Sequence, residues 1–151
     1  MTSYPFGIIG NCTSAALISS DCSIEWLCLP FFDSPSLFAR ILDQKKGGFF
    51  KITAQDIISV KQGYIENTAI LKTVFETKHG IFSVSDYMPR FHMEYGITYY
   101  PSEIQRDIHV ISGRPRLLVE LNPRPNYALS HAQFDSMDDY IKITSTEGEY
   151  N

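Results

Sequence analysis

Residues 21–40 have the sequence DCSIEWLCLPFFDSPSLFAR, the most informative stretch of the chain. Ile24–Leu29 is a short apolar run of strand formers, and Pro30 ends it because proline cannot donate a hydrogen bond to a sheet. The following Asp33-Ser34-Pro35 predicts a tight corner, with Ser34 as the N-cap of a short helical turn near residues 35–42. The stretch therefore predicts a buried strand, a rigid corner and a helical turn.

The clearest alternation of apolar and polar side chains lies farther along, in residues 69–88. Ala69–Thr77 and Ile81–Met88 alternate on either side of Lys78-His79-Gly80, a connection typical of a β-hairpin. Short runs of this kind recur about every 8–15 residues without a long helical period, which predicts an all-β domain of antiparallel hairpins. Prolines between the strands favour a two-sheet β-sandwich over a barrel, because chains commonly switch sheets at such corners.

Composition limits the class of protein and its partners. A chain of 151 residues suits a single domain, and 44% apolar with 20% charged residues is ordinary for a globular protein. The net charge of −4 argues against a nucleic-acid partner. No run reaches the roughly 20 apolar residues that span a bilayer, so no membrane partner is expected. The first five residues lack the features of a signal peptide, which predicts a cytoplasmic location.

Three cysteines, Cys12, Cys22 and Cys28, give an odd count without metal-ligand spacing. This pattern favours free thiols in a reducing compartment, with a Cys12–Cys22 or a Cys22–Cys28 disulfide as the alternatives. The four histidines are scattered singly. We therefore predict no metal site and no cofactor.

Carboxylates are the first candidates for catalysis, because a glycosidase needs two of them roughly 5–10 Å apart. Those at turns are explained as turn or cap residues, and an acid inside a strand needs a cationic partner such as Arg40, Arg90 or Arg106. No nucleophile motif or phosphate-binding loop is present. The sequence therefore predicts no catalytic residue. The candidate carboxylates are Asp21, Glu25, Asp33, Asp86 and Glu103.

Aromatic side chains are the candidates for stacking on a sugar ring. Trp26 lies in an apolar run, which favours core packing over an exposed platform. Tyr95, Tyr99 and Tyr100 lie on the loop of residues 89–101, where a surface role in sugar stacking and a structural role in packing are equally consistent with the pattern.

The order of motifs along the chain resembles the N-terminal domain of prokaryotic glucoamylase- and trehalase-like enzymes of glycoside hydrolase family 15. Two motifs in the second half of the chain also match this family, namely Val84-x-Asp86-x-Met88-Pro89 and Pro123-Arg124-x-x-Tyr127. Cys22 departs from the pattern, which usually has glycine there. The first and most specific block is Ile8-Ile9-Gly10-Asn11, Thr13 and Ala15–Ile18, followed by Asp21-x-Ser23-Ile24-Glu25-Trp26-Leu27-Cys28-Leu29-Pro30-x-Phe32-Asp33-Ser34-Pro35-Ser36-x-Phe38.

This resemblance implies a β-supersandwich that packs against a C-terminal (α/α)6 barrel, which carries the two catalytic glutamates of an inverting mechanism. We therefore expect residues 1–151 to be one sandwich domain at the N-terminus of a longer chain, inactive by itself. The polar end at residues 146–151, without a closing element, agrees with this expectation. The parent enzyme would hydrolyse α-glucosidic bonds in α-glucans or trehalose, as a glucoamylase, glucodextranase or trehalase.

The resemblance and the corner together give the site predictions. Pro30, Phe31, Phe32 and Pro35 are expected to contact the barrel. Asp33 and Trp26 are expected to border the substrate pocket. The alternative is an independent carbohydrate-binding module of lectin-like type.

Overall fold

The computed structural model of the chain describes residues 6–145, which form strands joined mostly by short loops. None of their helical segments is long and apolar enough to cross a membrane. The polar end at residues 146–151 lies outside the described residues. The strands are β1 (Phe6–Gly10), β2 (Ala15–Ser19), β3 (Ser23–Cys28), β4 (Ser36–Ala39), β5 (Phe49–Ala54), β6 (Ile57–Tyr64), β7 (Leu71–Thr77), β8 (Gly80–Tyr87), β9 (Phe91–His92), β10 (Thr98–Tyr99), β11 (Gln105–Gly113), β12 (Leu117–Asn122), β13 (Ala132–Ser136) and β14 (Ile141–Ser145).

Two antiparallel sheets form the body of the fold, which confirms the predicted all-β sandwich. The large sheet has the order β1-β2-β3-β5-β12, and β4 also pairs with β3. The small sheet has the order β11-β8-β7-β6. Strands β9 with β10 and β13 with β14 form two separate hairpins.

The core lies between the two sheets, and the hairpin predicted from residues 69–88 supplies much of it. Leu71, Thr73 and Phe75 on β7 are buried, as alternation requires of side chains that point to one face. Phe75 stacks on Phe82 of β8 with a ring-centroid distance of 4.7 Å. Burial of each such phenylalanine stabilises the fold by about 1.5–3 kcal/mol. The hairpin prediction is confirmed.

The helical turn predicted near residues 35–42 is wrong, because Ser36–Ala39 forms strand β4. Its backbone pairs with β3, with Phe38 opposite Leu27, and the side chain of Phe38 is buried in the core. The hydroxyl of Ser34 accepts a hydrogen bond from the Phe31 N–H (3.1 Å) and so closes the corner instead of capping a helix. A single helical turn is marginal by itself, whereas pairing with β3 adds both backbone bonds and burial.

Trp26 lies outside the core between the sheets, contrary to the prediction of core packing. Leu17 pairs with Trp26 but Ile18 pairs with Ile24, so that Glu25 is an extra residue in a β-bulge. Ile18 and Ile24 are buried in the core, whereas Trp26 is only partly buried. Because it lies opposite Leu17, Trp26 faces away from the small sheet.

Candidate functional site

The loops at one end of the sandwich are tied together by the buried side chain of Asn11. Its Oδ1 accepts hydrogen bonds from the N–H groups of Thr13 (3.1 Å) and Ser14 (3.2 Å). Its Nδ2 donates to the carbonyl oxygen of Pro101 at 2.9 Å. One asparagine therefore shapes the β1–β2 loop and joins it to the long segment between β8 and β11.

The corner between β3 and β4 rests on the same β1–β2 loop. The Phe32 N–H donates to the Thr13 carbonyl oxygen at 3.0 Å, and the Ser14 hydroxyl donates to the Cys28 carbonyl oxygen. Within the corner, the Ser34 N–H donates to the Phe31 carbonyl oxygen at 3.1 Å. We call the three connected loops, residues 11–14, 29–35 and 89–104, the loop end.

The loop end exposes large apolar side chains. Phe91 and Tyr99 pack against each other with a ring-centroid distance of 5.1 Å, yet each remains about half exposed. Large exposed apolar patches on a protein surface commonly mark interaction sites. The exposed fractions are Phe31 56%, Phe32 61%, Phe91 48%, Met93 54%, Tyr95 95%, Ile97 61% and Tyr99 49%.

The structure brings most of the predicted site residues together at this corner. Pro30, Phe31, Phe32 and Asp33 are exposed at the loop end, and Pro35 is partly buried just behind them. Trp26 lies apart from them, in the middle of β3. The tyrosines proposed for sugar stacking are also divided, since Tyr100 lies under the Arg90 guanidinium (5.6 Å) whereas Tyr95 projects into solvent.

A cavity of about 300 Å³ lies behind the corner, between it and a turn at Pro125–Ala128. The Arg124 N–H donates to the Leu37 carbonyl oxygen at 2.9 Å and attaches this turn to β4. Within the described residues, the buried hydroxyl of Ser36 lines the cavity without a hydrogen-bond partner. The lining residues are Leu29, Pro30, Ser34, Pro35, Ser36, Leu37, Pro125, Asn126, Ile143 and Ser145.

The sequence indicates a stiff corner at residues 123–126, but it did not predict the left-handed backbone that the structure shows in the turn at Pro125–Ala128. Asn126, Tyr127 and Ala128 have φ values of 55°, 55° and 64°. Asparagine tolerates this conformation, but tyrosine and alanine adopt it at a cost of about 1–2 kcal/mol each. The turn places the Tyr127 ring 6.5 Å from the Trp26 ring and so covers part of the outer face of β3. Of the three left-handed positions, Asn126 alone is of a residue type that favours this conformation.

Asp86 forms a buried ion pair with Arg106, which is the Asp–Arg arrangement considered from the sequence. Arg106 Nε donates to Asp86 Oδ1 at 2.7 Å, and the two side chains are 4% and 0% exposed. The same guanidinium donates to the carbonyl oxygens of Phe50 on β5 (2.7 Å) and of Cys22 in the turn just before β3 (2.9 Å), both parts of the large-sheet layer. It also lies 4.6 Å from the centroid of the Phe50 ring. Asp86 therefore anchors a link between the two sheets.

Two other candidate carboxylates also face cations. Glu25 lies 3.6 Å from Arg40, and Asp21 binds Lys51 and the Ser19 hydroxyl. Burial by itself raises the pKa of Asp21, but the hydrogen bonds from Lys51 and Ser19 and the charge of Lys51 outweigh it and hold that pKa below its ordinary value. Each of these two carboxylates therefore pairs with a cation of the same domain and has a structural role.

All three cysteines are free thiols, as the sequence favoured. Cys12 is exposed, and Cys22 and Cys28 are buried. Burial raises the pKa of Cys22 to about 12, so this thiol stays protonated. In the described part of the chain, no group of three or more His, Cys, Asp or Glu side chains is arranged to hold a metal ion.

Comparison with known proteins finds relatives that are named trehalases. The chain is 32% identical over 144 residues to trehalase 2 of Sulfolobus acidocaldarius, an alignment that covers 95% of this chain and 22% of the relative. It is 40% identical over 116 residues to the trehalase of Thermoplasma acidophilum, covering 74% of this chain and 19% of the relative. The chain thus spans about a fifth of the length of these relatives. No solved structure matches it.

The family match is nearly as long as the chain. The model for the trehalase-like N-terminal family matches residues 5–150. This range contains the whole described sandwich, including the loop end and the Asp86–Arg106 pair. The chain therefore belongs to the trehalase-like N-terminal family.

Proposed function

We propose that this chain is the non-catalytic N-terminal domain of an α-glucosidic hydrolase of the trehalase and glucoamylase type. In this proposal it packs against the catalytic (α/α)6 barrel of the same polypeptide and supports it. Family membership favours the assignment, as does the fact that the chain spans only about a fifth of relatives named trehalases. The remaining four-fifths leaves ample length for a separate catalytic domain.

The exposed aromatic surface of the loop end is the observation that carries this proposal. Phe31 and Phe32 are 56% and 61% exposed although the corner that holds them is closely hydrogen-bonded. Completing the burial of each ring against a partner would contribute about 1 kcal/mol or more, given about 1.5–3 kcal/mol for a fully buried phenylalanine. In the proposed assembly, Pro30, Phe31, Phe32 and Pro35 contact the barrel.

Asp33 is the residue that we propose borders the substrate pocket. It lies exposed beside the two phenylalanines, so docking of the corner carries its carboxylate to the barrel surface. An ionised carboxylate accepts hydrogen bonds from sugar hydroxyls. Trp26, in contrast, is partly covered by the ring of Tyr127. In this proposal Trp26 borders the substrate pocket indirectly, by supporting the turn at Pro125–Ala128.

Trehalose or an α-glucan is the proposed substrate of the whole enzyme, and the names of the relatives favour trehalose. A cytoplasmic location is part of the proposal, because the three free thiols suit a reducing compartment.

Paired substitutions in the full-length enzyme test the docking proposal. We expect Phe31→Ser with Phe32→Ser to lower the melting temperature by several degrees and to reduce trehalose hydrolysis. The matched control is Ile58→Ser, an equally exposed residue (60%) on β6 at the opposite end of the sandwich. A barrel that lacks residues 1–151 yet keeps full activity and stability would overturn the proposal.

An independent carbohydrate-binding module is the alternative function, and the 95% exposure of Tyr95 is the observation that favours it. It predicts that Tyr95→Ala weakens retention of the enzyme on immobilised starch or trehalose. Our proposal predicts unchanged retention. Native affinity electrophoresis of both forms distinguishes the two functions.

A further inference from the structure

The strands β11 and β12 form the edges of the two sheets on one side of the sandwich. Within residues 6–145, β11 pairs with β8 alone and β12 with β5 alone. The chain passes from one edge to the other through residues 114–116, where the Arg114 N–H donates to the His79 carbonyl oxygen at 2.8 Å. Both unpaired edges therefore lie on the same side of the molecule, which we call the open side.

Aliphatic side chains are exposed in the middle of β11 and in the first half of β12. Neighbouring side chains of a strand point to opposite faces, so the exposure of three consecutive residues on β12 shows that both of its faces are uncovered. An edge strand is normally protected by charges, prolines or covering elements, but β12 carries one charge, that of Glu120. The exposed fractions are Ile108 41%, Val110 48%, Ile111 49%, Leu117 38%, Leu118 49% and Val119 54%.

The opposite side of the sandwich is closed by side chains. On that side, the Tyr64 hydroxyl of β6 donates to the Ile8 carbonyl oxygen (2.8 Å) and accepts from the Ile8 N–H (2.7 Å). Gln62 Nε2 donates to the Ser19 carbonyl oxygen at 2.9 Å. The edge strand β1 thus has backbone groups satisfied by the small sheet. The two sides of the sandwich therefore differ. Side-chain hydrogen bonds connect the two sheets on the opposite side, whereas the edge strands of the open side expose aliphatic side chains.

We propose that the open side binds further β-strands of the same polypeptide, from the part that follows residue 151 in the full-length protein. The alignments cover only about a fifth of the length of the relatives, and the matching family describes the N-terminal part of such proteins. An added strand pairs with the free N–H and C=O groups and covers the aliphatic side chains at once. A strand of the same chain is also favoured over a separate protein, because its effective concentration is high.

This inference rests on the proposed function in one respect, namely that the chain is the N-terminal part of a longer enzyme. It differs in the surface and in the partner. The loop end contacts the barrel, whereas the open side completes the sandwich. A helix of the barrel could cover one face of β12 but would leave its edge N–H groups unpaired, so amide exchange separates strand addition from other coverings.

Hydrogen–deuterium exchange of the full-length protein tests strand addition. In an antiparallel edge strand about half of the N–H groups point outward and exchange fast. We expect β11 (Gln105–Gly113) to be protected nearly throughout, like the central strand β8. The control is β6, the other edge of the same sheet, which should leave about half of its amides unprotected. Exchange in β11 as fast as in β6 would overturn the inference, as would protection that disappears on dilution, which indicates a second copy.

A charge placed on the open side gives an independent readout in the same protein. Val119→Lys should lower the melting temperature by about 4 °C or more, because a covered lysine must lose its hydration. Ile58→Lys, at a similarly exposed position (60% against 54%), should lower it by less than about 1 °C. Equal small shifts would count against strand addition even if the loop-end variants lose activity, which keeps the two proposals separable. If Val119→Lys does not fold, the exchange measurement on the unmodified protein decides.

Discussion

Removal of Arg106 should destabilise this domain more than removal of its ion-pair partner Asp86. Arg106→Met leaves the carboxylate of Asp86 buried without its cation, which costs about 3–5 kcal/mol. It also removes the charged donors to the carbonyl oxygens of Phe50 and Cys22, which lie 2.7 and 2.9 Å away. A domain is stable by about 5–15 kcal/mol, so this one substitution removes a large fraction of the total.

Asp86→Asn should lower the free energy of unfolding by less, because Arg106 has other hydrogen-bond acceptors whereas the other donor to Asp86 is weak. Arg106 keeps the two carbonyl acceptors when the charge of Asp86 is removed, and the amide oxygen of asparagine still accepts from Nε. Without Arg106, Asp86 keeps only a weak donor among the side chains of the described residues, the Sγ of Cys22 at 3.7 Å. We expect Asp86→Asn to cost about 1.5–3 kcal/mol, the value of a charge-assisted hydrogen bond. The double variant should be less unstable than the sum by about 2 kcal/mol.

Equilibrium urea unfolding of the 151-residue chain, followed through the fluorescence of its single tryptophan, measures these free energies. In the full-length enzyme, the exchange of β8 amides reports the same changes. The matched control is Arg40→Met, because Arg40 is 31% exposed and pairs with Glu25 at 3.6 Å, which predicts a loss of about 0–1 kcal/mol. A loss for Arg106→Met no larger than that for Arg40→Met would refute the reasoning, as would a larger loss for Asp86→Asn than for Arg106→Met.

Three further predictions concern thiols, pH and backbone strain. Iodoacetamide at pH 8 should label the exposed Cys12 in the native protein but not the buried Cys22, because burial raises the pKa of Cys22 to about 12. Mass spectrometry that finds Cys22 labelled in the native protein would contradict this prediction. Lys51→Met should cost about 0.2–1 kcal/mol at pH 7, since Asp21 is 55% exposed. Because the native pKa of Asp21 lies below 3.8, that difference is fully present above pH 3.8 and is lost as the pH falls through the native value; a pH-independent difference in unfolding free energy would refute the linkage. Ala128→Gly should stabilise the protein by about 0.5–1 kcal/mol in urea unfolding, because it relieves a φ of 64°, and a loss of stability would show that the turn is not strained.

Much of the small sheet was predictable from local pattern alone. A strand between water and a core alternates apolar and polar residues with a period of two, and residues 71–87 show this period on both sides of a glycine-containing turn. The same alternation placed Asp86 on the buried face. A buried acid needs a cation, so a pair with an arginine was one of the two arrangements that the pattern allowed, beside a catalytic dyad. It did not predict which of three arginines.

The choice of Arg106 among those arginines depends on strand register. Arg106 pairs opposite Asp86 because β11 lies beside β8 in a particular alignment, 20 residues apart in the sequence. Arg40 pairs instead with Glu25, and Arg90 lies at the loop end beside Cys12. The alternation of residues within one strand does not determine which residues of a distant strand lie opposite them.

The sequence by itself determined the all-β class, the strand alternation, the free thiols as the favoured state and the family resemblance, because each depends on residues close together or on composition. Only the tertiary structure decided that Ser36–Ala39 is a strand and that Trp26 faces away from the core. The first depends on pairing with β3, which outweighs the weak preference of four residues for a helical turn. The second depends on a bulge at Glu25, where one extra residue reverses the face of every side chain that follows.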